Sequence, residues 1–160
     1  MKKIIILIAA CLMTIPALSQ NTTRIGANHK FDVGAFLAIS PVKAGPDWNG
    51  AAIMDYNFAS HNGRLNINFG CMDTSVFTPD FSCNYQYLFG QENGLFYFYP
   101  TAGIYTEVYT KFKIGAQAGA GLEFQINDIW AFYAEGVYQM LFLNGGSMRP
   151  RFSIGVRIGL

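Results

Sequence analysis

The sequence predicts an all-β fold, an eight-stranded antiparallel up-and-down transmembrane β-barrel, from three observations. Apolar and polar residues alternate with a period of two, not the 3.6 of a helix. Of the 160 residues, 51% are hydrophobic and 16% aromatic but only 13% charged, well under the roughly 25% of soluble globular chains. Bulky rings gather on one face of the alternating segments, and glycines and charges on the other.

The chain opens with a positive segment, Met1-Lys2-Lys3, followed by an apolar stretch from Ile4 to Ile15 and the small residues of Ala17-Leu18-Ser19. This is the pattern of a secretory signal peptide, so residues 1–19 are expected to be removed, leaving 20–160 as one barrel domain. Ile8-Ala9-Ala10-Cys11 also fits a lipoprotein box, but cleavage there leaves too short an apolar core. Lys2 and Lys3 are two of the 11 basic residues, so the mature chain has nine bases against ten acids. It carries no basic footprint for nucleic acid. Beyond Gln20, Gly, Asn, Gln or a charge interrupts every apolar run before it could span a membrane as a helix.

Strands are expected at residues 31–41, 50–59, 64–72, 81–90, 95–107, 112–125, 130–142 and 151–160. The last shows the pattern most plainly: Phe152, Ile154, Val156, Ile158 and Leu160 alternate with Arg151, Ser153, Gly155, Arg157 and Gly159. Asn62-Gly63 is a strong two-residue hairpin signal; as its centre it sets Phe58 opposite Ile67 and Tyr56 opposite Phe69. A turn over Gln91 to Gly94 sets Phe89 against Phe96 and Tyr87 against Phe98. Asn127-Asp128 needs one extra residue or a bulge to keep side-chain parity. These three short turns alternate with connections centred near residues 46, 77, 110 and 145, which gather at the opposite end.

Volume decides which face points outward. Eight strands enclose a space only just filled by side chains, and Phe31, Phe58, Phe69, Tyr87, Phe89, Phe96, Phe98, Phe124, Trp130 and Phe132 cannot all fit inside. The opposite face carries Gly34, Gly70, Gly103, Gly115, Gly119, Gly121, Gly155 and Gly159, which suit a crowded lumen. The apolar face is therefore expected to meet lipid, with Phe31, Phe58, Phe89, Phe96, Phe124, Trp130 and Phe132 as an aromatic girdle at the short-turn end. Lipid cannot satisfy an open sheet edge, so the sheet must close.

Taken together, the signal, the eight alternating strands, the short turns at one end and the amphipathic strand Phe152 to Leu160 resemble the small bacterial outer-membrane barrels of the OmpA/OmpX type. The resemblance implies location in the outer membrane with a periplasmic N-terminus, contact with outer-membrane lipid, and insertion by the outer-membrane assembly machinery. It also implies that the chain, ending at Leu160, lacks the peptidoglycan-binding domain of longer relatives. Gln20 at the expected mature start resembles exports of the Bacteroidota.

The polar phase places Asp32, Asp55, Glu107, Glu123 and Glu135 inside with Arg64, Lys113, Arg151 and Arg157. Buried charges must be paired, so a structural ion network is expected. Glu107 and Lys113 should face each other about residue 110, and Glu135 should stand near Arg157 across the last hairpin. Tyr97, Tyr99, Tyr105 and Tyr133 should help to fill the lumen. Of the two histidines, His29 precedes the first strand and His61 sits beside Asn62-Gly63, with no Cys or acidic neighbour at ligand spacing. No catalytic residue, metal site or cofactor is expected. Cys71 and Cys83 remain after signal removal and lie symmetrically about residue 77, which predicts a cross-strand disulfide in an oxidising compartment.

The function this supports is a plugged barrel with a structural or surface-interaction role, its protein partner at the surface or in the periplasm unidentified. Two alternatives stay open: a lipid-modifying outer-membrane enzyme, and a soluble periplasmic barrel holding a small apolar ligand.

Overall fold

The computed structural model describes residues 30–42, 45–58, 62–72, 78–90, 94–108, 112–127, 129–142 and 148–160. The expected signal peptide, Gln20, His29 and His61 lie outside them. The strands are β1 (Phe31–Val42), β2 (Gly45–Asn57), β3 (Gly63–Met72), β4 (Thr78–Tyr87, continued at Phe89–Gly90), β5 (Phe96–Val108), β6 (Phe112–Gln125), β7 (Trp130–Leu141) and β8 (Met148–Gly159). Each pairs antiparallel with its neighbours in sequence, β1 pairs with β8, and the sheet closes as an eight-stranded up-and-down barrel. No helix among the described residues is long and apolar enough to cross a membrane.

Closure carries a stagger. Following paired residues around the wall from Asp32 passes through Asp55, Asn66, Asn84, Gly103, Gln117, Gln139 and Arg149. Extending the β8–β1 register then returns to β1 at Val42, ten residues from the start. Such shear goes with strands tilted by about 35–45° to the barrel axis.

Parity held in every strand, whereas several registers differ from the sequence expectation. Tyr56 pairs with Leu65, and the Phe58 amide donates to the Gly63 carbonyl at 3.0 Å. Asn62-Gly63 is thus not the hairpin centre; Gly63 is a strand residue paired with Tyr87. Phe89 pairs with Phe98 rather than Phe96, and Gly90 with Tyr97. Gly90 is needed there, since a Cβ would press into the Tyr97 ring. The first displacement is four residues and the second two. Even displacements leave every side chain on its own face, so alternation could not distinguish these registers.

The extra residue expected at Asn127-Asp128 is present. Gln125 pairs with Ala131, Ile126 N donates to Trp130 O at 2.9 Å, and Asn127 Oδ1 accepts from the amides of Ile129 and Trp130. The connection about residue 110 is also as expected, Val108 pairing with Phe112. The β1–β2 and β3–β4 hairpins instead close at Val42–Gly45 and Met72–Thr78. Pro46, Asp47, Pro79 and Asp80 lie outside the expected strands 50–59 and 81–90 but extend β2 and β4 at the rim, where a proline's missing N–H is tolerated.

The register also removes the expected disulfide. Cys71 pairs with Pro79 and Cys83 with Ile67, and no disulfide joins the two. An offset of four residues is about 13 Å along the strands, beyond the roughly 7 Å between Cα atoms that a bridge can span.

Candidate functional site: the polar lumen

The outward phase is apolar: Leu37, Phe69, Phe96, Leu122, Phe132, Tyr138, Phe152 and Ile154 are all exposed. Phe31, Phe96, Phe124, Trp130 and Phe132 are exposed, and Phe58 and Phe89 partly so, at the end where the short turns join the strands. Tyr56, Tyr85, Tyr87 and Phe98 extend this belt. Neighbouring ring centroids there lie close together, as for Phe31 and Tyr56 (5.3 Å), Tyr56 and Phe58 (5.2 Å), Tyr87 and Phe89 (4.8 Å), and Phe96 and Phe124 (4.8 Å).

The inward phase holds two ion clusters. Towards the short-turn end, the Glu123 carboxylate accepts from Arg64 Nη1 at 2.6 Å and Arg157 Nη1 at 2.8 Å, all three groups being buried. Arg157 Nε donates to Asp55 at 2.7 Å, and Arg64 Nε donates to Gln86 Oε1 at 2.7 Å. Like-charged guanidiniums can share this space because the carboxylates lie between them and rings flank them. Arg157 lies 3.9 Å from the Tyr133 centroid and 5.5 Å from that of Tyr99, and Arg64 lies 5.1 Å from Tyr99.

The second cluster lies towards the other end. Lys113 and Arg149 each donate at 2.7 Å to a different oxygen of Glu107, and Tyr105 OH donates to Glu107 Oε2 at 3.0 Å. Beside them, Asn49 donates to Asp80 at 2.6 Å, and Arg151 stands 3.6 Å from the same oxygen. Asp32, at the short-turn rim, accepts from Asn57 at 2.9 Å.

A row of amides joins the clusters along the wall. Arg149 Nε donates to Gln139, Gln139 to Gln117, Gln117 to Asn84, Asn84 to Asn66 and Asn66 to Asp55, over 2.6 to 3.1 Å. Every donor points the same way, so the row runs from a cation to a carboxylate with its dipoles aligned, and each bond strengthens the next. Gly103 sits in this rank between Asn84 and Gln117. A Cβ there would meet Asn84, so the amides reach each other only over a glycine.

As the sequence leads one to expect, Glu107 and Lys113 face each other. Glu135 and Arg157 do not. Glu135 pairs with Ser153 and accepts from Gln86 Nε2 at 2.9 Å, while Arg157 reaches Asp55, 102 residues away. Tyr97, Tyr99, Tyr105 and Tyr133 are buried in the lumen. Sequence reasoning overlooked Asp80 and Arg149. Both follow the polar parity of their strands, Asp80 in phase with Ser82 and Arg149 with Arg151, but β4 and β8 were expected to begin later. Among the described residues no group of three His, Cys, Asp or Glu side chains could hold a metal.

No protein-family model and no curated protein matches the chain. Solved structures do. The N-terminal β-barrel domain of Pseudomonas aeruginosa OprF is 19% identical over 81% of this chain and 97% of that one, with a TM-score of 0.61. Neisserial surface protein A is 14% identical over 81% and 96%, TM-score 0.57. A de novo designed transmembrane β-barrel is 11% identical over 88% and 100%, TM-score 0.58. At such identities the likeness speaks for the fold, and this chain has the eight-stranded, antiparallel, up-and-down barrel fold of small outer-membrane proteins.

Proposed function

We propose that this chain is an integral outer-membrane β-barrel protein with a plugged polar lumen and a structural or surface-interaction role, without catalysis. The observation that carries this reading is the inversion of the usual residue distribution. Arg64, Asp55 and Glu123 are 0% exposed, whereas Phe96 and Ile154 are 67% and 66% exposed. In water such an outer face would aggregate; in lipid it is at its free-energy minimum, and the closed ladder leaves no backbone edge to desolvate. The likeness to outer-membrane barrels agrees with it.

On this reading the girdle end faces the periplasm, residues 1–19 direct export and are removed, and the partners are outer-membrane lipid and, during biogenesis, the assembly machinery. A surface or periplasmic protein is the further partner this class of function calls for. The charge clusters, the buried tyrosines and the amide row support a plugged lumen. The protein should sediment with outer membranes, resist carbonate extraction, and migrate faster in detergent gels unheated than boiled. Recovery as a soluble periplasmic monomer would overturn the proposal.

A further inference from the structure

The two ion clusters are each unbalanced by one charge. The inner has three carboxylates, Asp55, Glu123 and Glu135, for two arginines. The outer has two carboxylates, Asp80 and Glu107, for the three cations Lys113, Arg149 and Arg151. The surplus groups, Glu135 and Arg151, both line one internal cavity of about 10 Å³ together with Asn68. All three are under-partnered. Among the described residues the Glu135 carboxylate accepts from Gln86 alone, and Arg151 has Asp80 at 3.6 Å and the Phe36 ring at 4.7 Å. Asn68 Oδ1 is buried with no partner among the described residues. The Asn68 amide cannot turn over, because its Nδ2 donates to Asn66 Oδ1 at 2.8 Å and Ser82 Oγ at 3.0 Å, and Asn66 Oδ1 can only accept.

We propose that this cavity is a binding site for one structural water molecule, which donates to Asn68 Oδ1 and Glu135 and accepts from Arg151. The volume suits about one water, and a buried water needs two to four polar partners. One donor hydrogen is called for by each of the two acceptors and one lone pair by the guanidinium, which is the inventory of water and of no simple ion. A metal cation would lie against Arg151 and Arg157; an anion would lie against Glu135. The water converts the surplus acid and the surplus base into a bridged pair and adds a second link between the clusters beside the amide row, at little entropic cost. It is independent of what surrounds the barrel.

A high-resolution crystal structure of the purified full chain, with its Glu135→Gln and Val137→Ile variants, tests this. Val137 lines the same cavity, and the added methyl group fills it. The expected result is a solvent peak within hydrogen-bond distance of Asn68 Oδ1, residue 135 and Arg151. It persists in Glu135→Gln, whose amide oxygen still accepts, and is lost in Val137→Ile. A peak lost in Glu135→Gln would indicate a cation held by charge and overturn the proposal. So would wild-type density without a peak, or with Arg151 in direct contact with Glu135. If Val137→Ile fails to fold, water-to-amide cross-relaxation at the Asn68 side chain in wild-type protein supplies the same answer: a signal supports the site and its absence overturns it.

Discussion

Replacing Glu123 by glutamine neutralises the carboxylate that is hydrogen-bonded to both Arg64 and Arg157. The change keeps the side chain's shape, and the amide oxygen can take the place of Oε2, which accepts from both guanidiniums, but the negative charge they share is deleted. Two charge-assisted hydrogen bonds, at 2.6 and 2.8 Å, are weakened or lost, each carrying about 1.5 to 3 kcal/mol. Arg157 keeps Asp55 at 2.7 Å, and Arg64 keeps Gln86 at 2.7 Å with Asp55 no nearer than 4.0 Å. Part of the loss is therefore offset, and the expected destabilisation is about 3 to 5 kcal/mol, the range for breaking a buried pair on one side. Glu135→Gln should cost about 1 to 2 kcal/mol, because Glu135 is held by one neutral amide and Arg157 does not depend on it. The assay is reversible urea unfolding in lipid vesicles, followed by tryptophan fluorescence and by gel mobility. A loss below about 1 kcal/mol for Glu123→Gln, or a larger loss for Glu135→Gln, refutes the assignment of Glu123 as the centre of the inner cluster.

Gly103→Ala should destabilise the barrel by about 1 to 3 kcal/mol by overpacking against Asn84 and separating it from Gln117; an unchanged heat-modifiability midpoint would contradict the amide row. Cys71 and Cys83 should alkylate fully without prior reduction once the barrel is unfolded, and recovery of linked Cys71 and Cys83 peptides would contradict the register of β3 and β4. Reconstituted into planar bilayers, the protein should give no stable large conductance, and steady porin-like steps would contradict the plugged lumen. His61→Asn should leave membrane lipid profiles unchanged; an altered acylation pattern on overexpression that vanishes in this variant would revive the enzyme alternative.

What was legible in the sequence was whatever parity encodes. The rings of Phe132 and Phe152 outside and the charges of Arg151 and Arg157 inside follow from a period of two, and volume then settles which face is which. What was not legible was translation along the strand. Moving β3 by four residues leaves Phe69 outside and Arg64 inside but changes every partner. The observed register sets Asn66 beside Asp55 and Asn84 beside Asn66. Those amides were not singled out in the sequence, since a lone Asn in a strand carries no sign of the rank it will join. The same slip accounts for Cys71 and Cys83, which share a face but not a position. Pairs such as Arg157 and Asp55 meet only once the barrel has closed, so no local pattern announces them. Asp80 and Arg149 could have been found by extending the polar parity past Phe81 and Arg151, where the two strands are expected to begin.

The central claim, that the apolar face meets lipid and the polar face is sealed inside, is tested most directly by nitroxide labels on protein reconstituted in bilayers. Labels introduced by Tyr138→Cys and Ile154→Cys, at sites 63% and 66% exposed, and by Val137→Cys and Ser153→Cys, at buried sites, sample both faces of β7 and β8 in a background lacking Cys71 and Cys83. The account predicts high accessibility to dissolved oxygen and low accessibility to a water-soluble nickel chelate at 138 and 154, with both low at 137 and 153. High chelate accessibility at 138 and 154, or oxygen accessibility out of phase with this alternation, would contradict it.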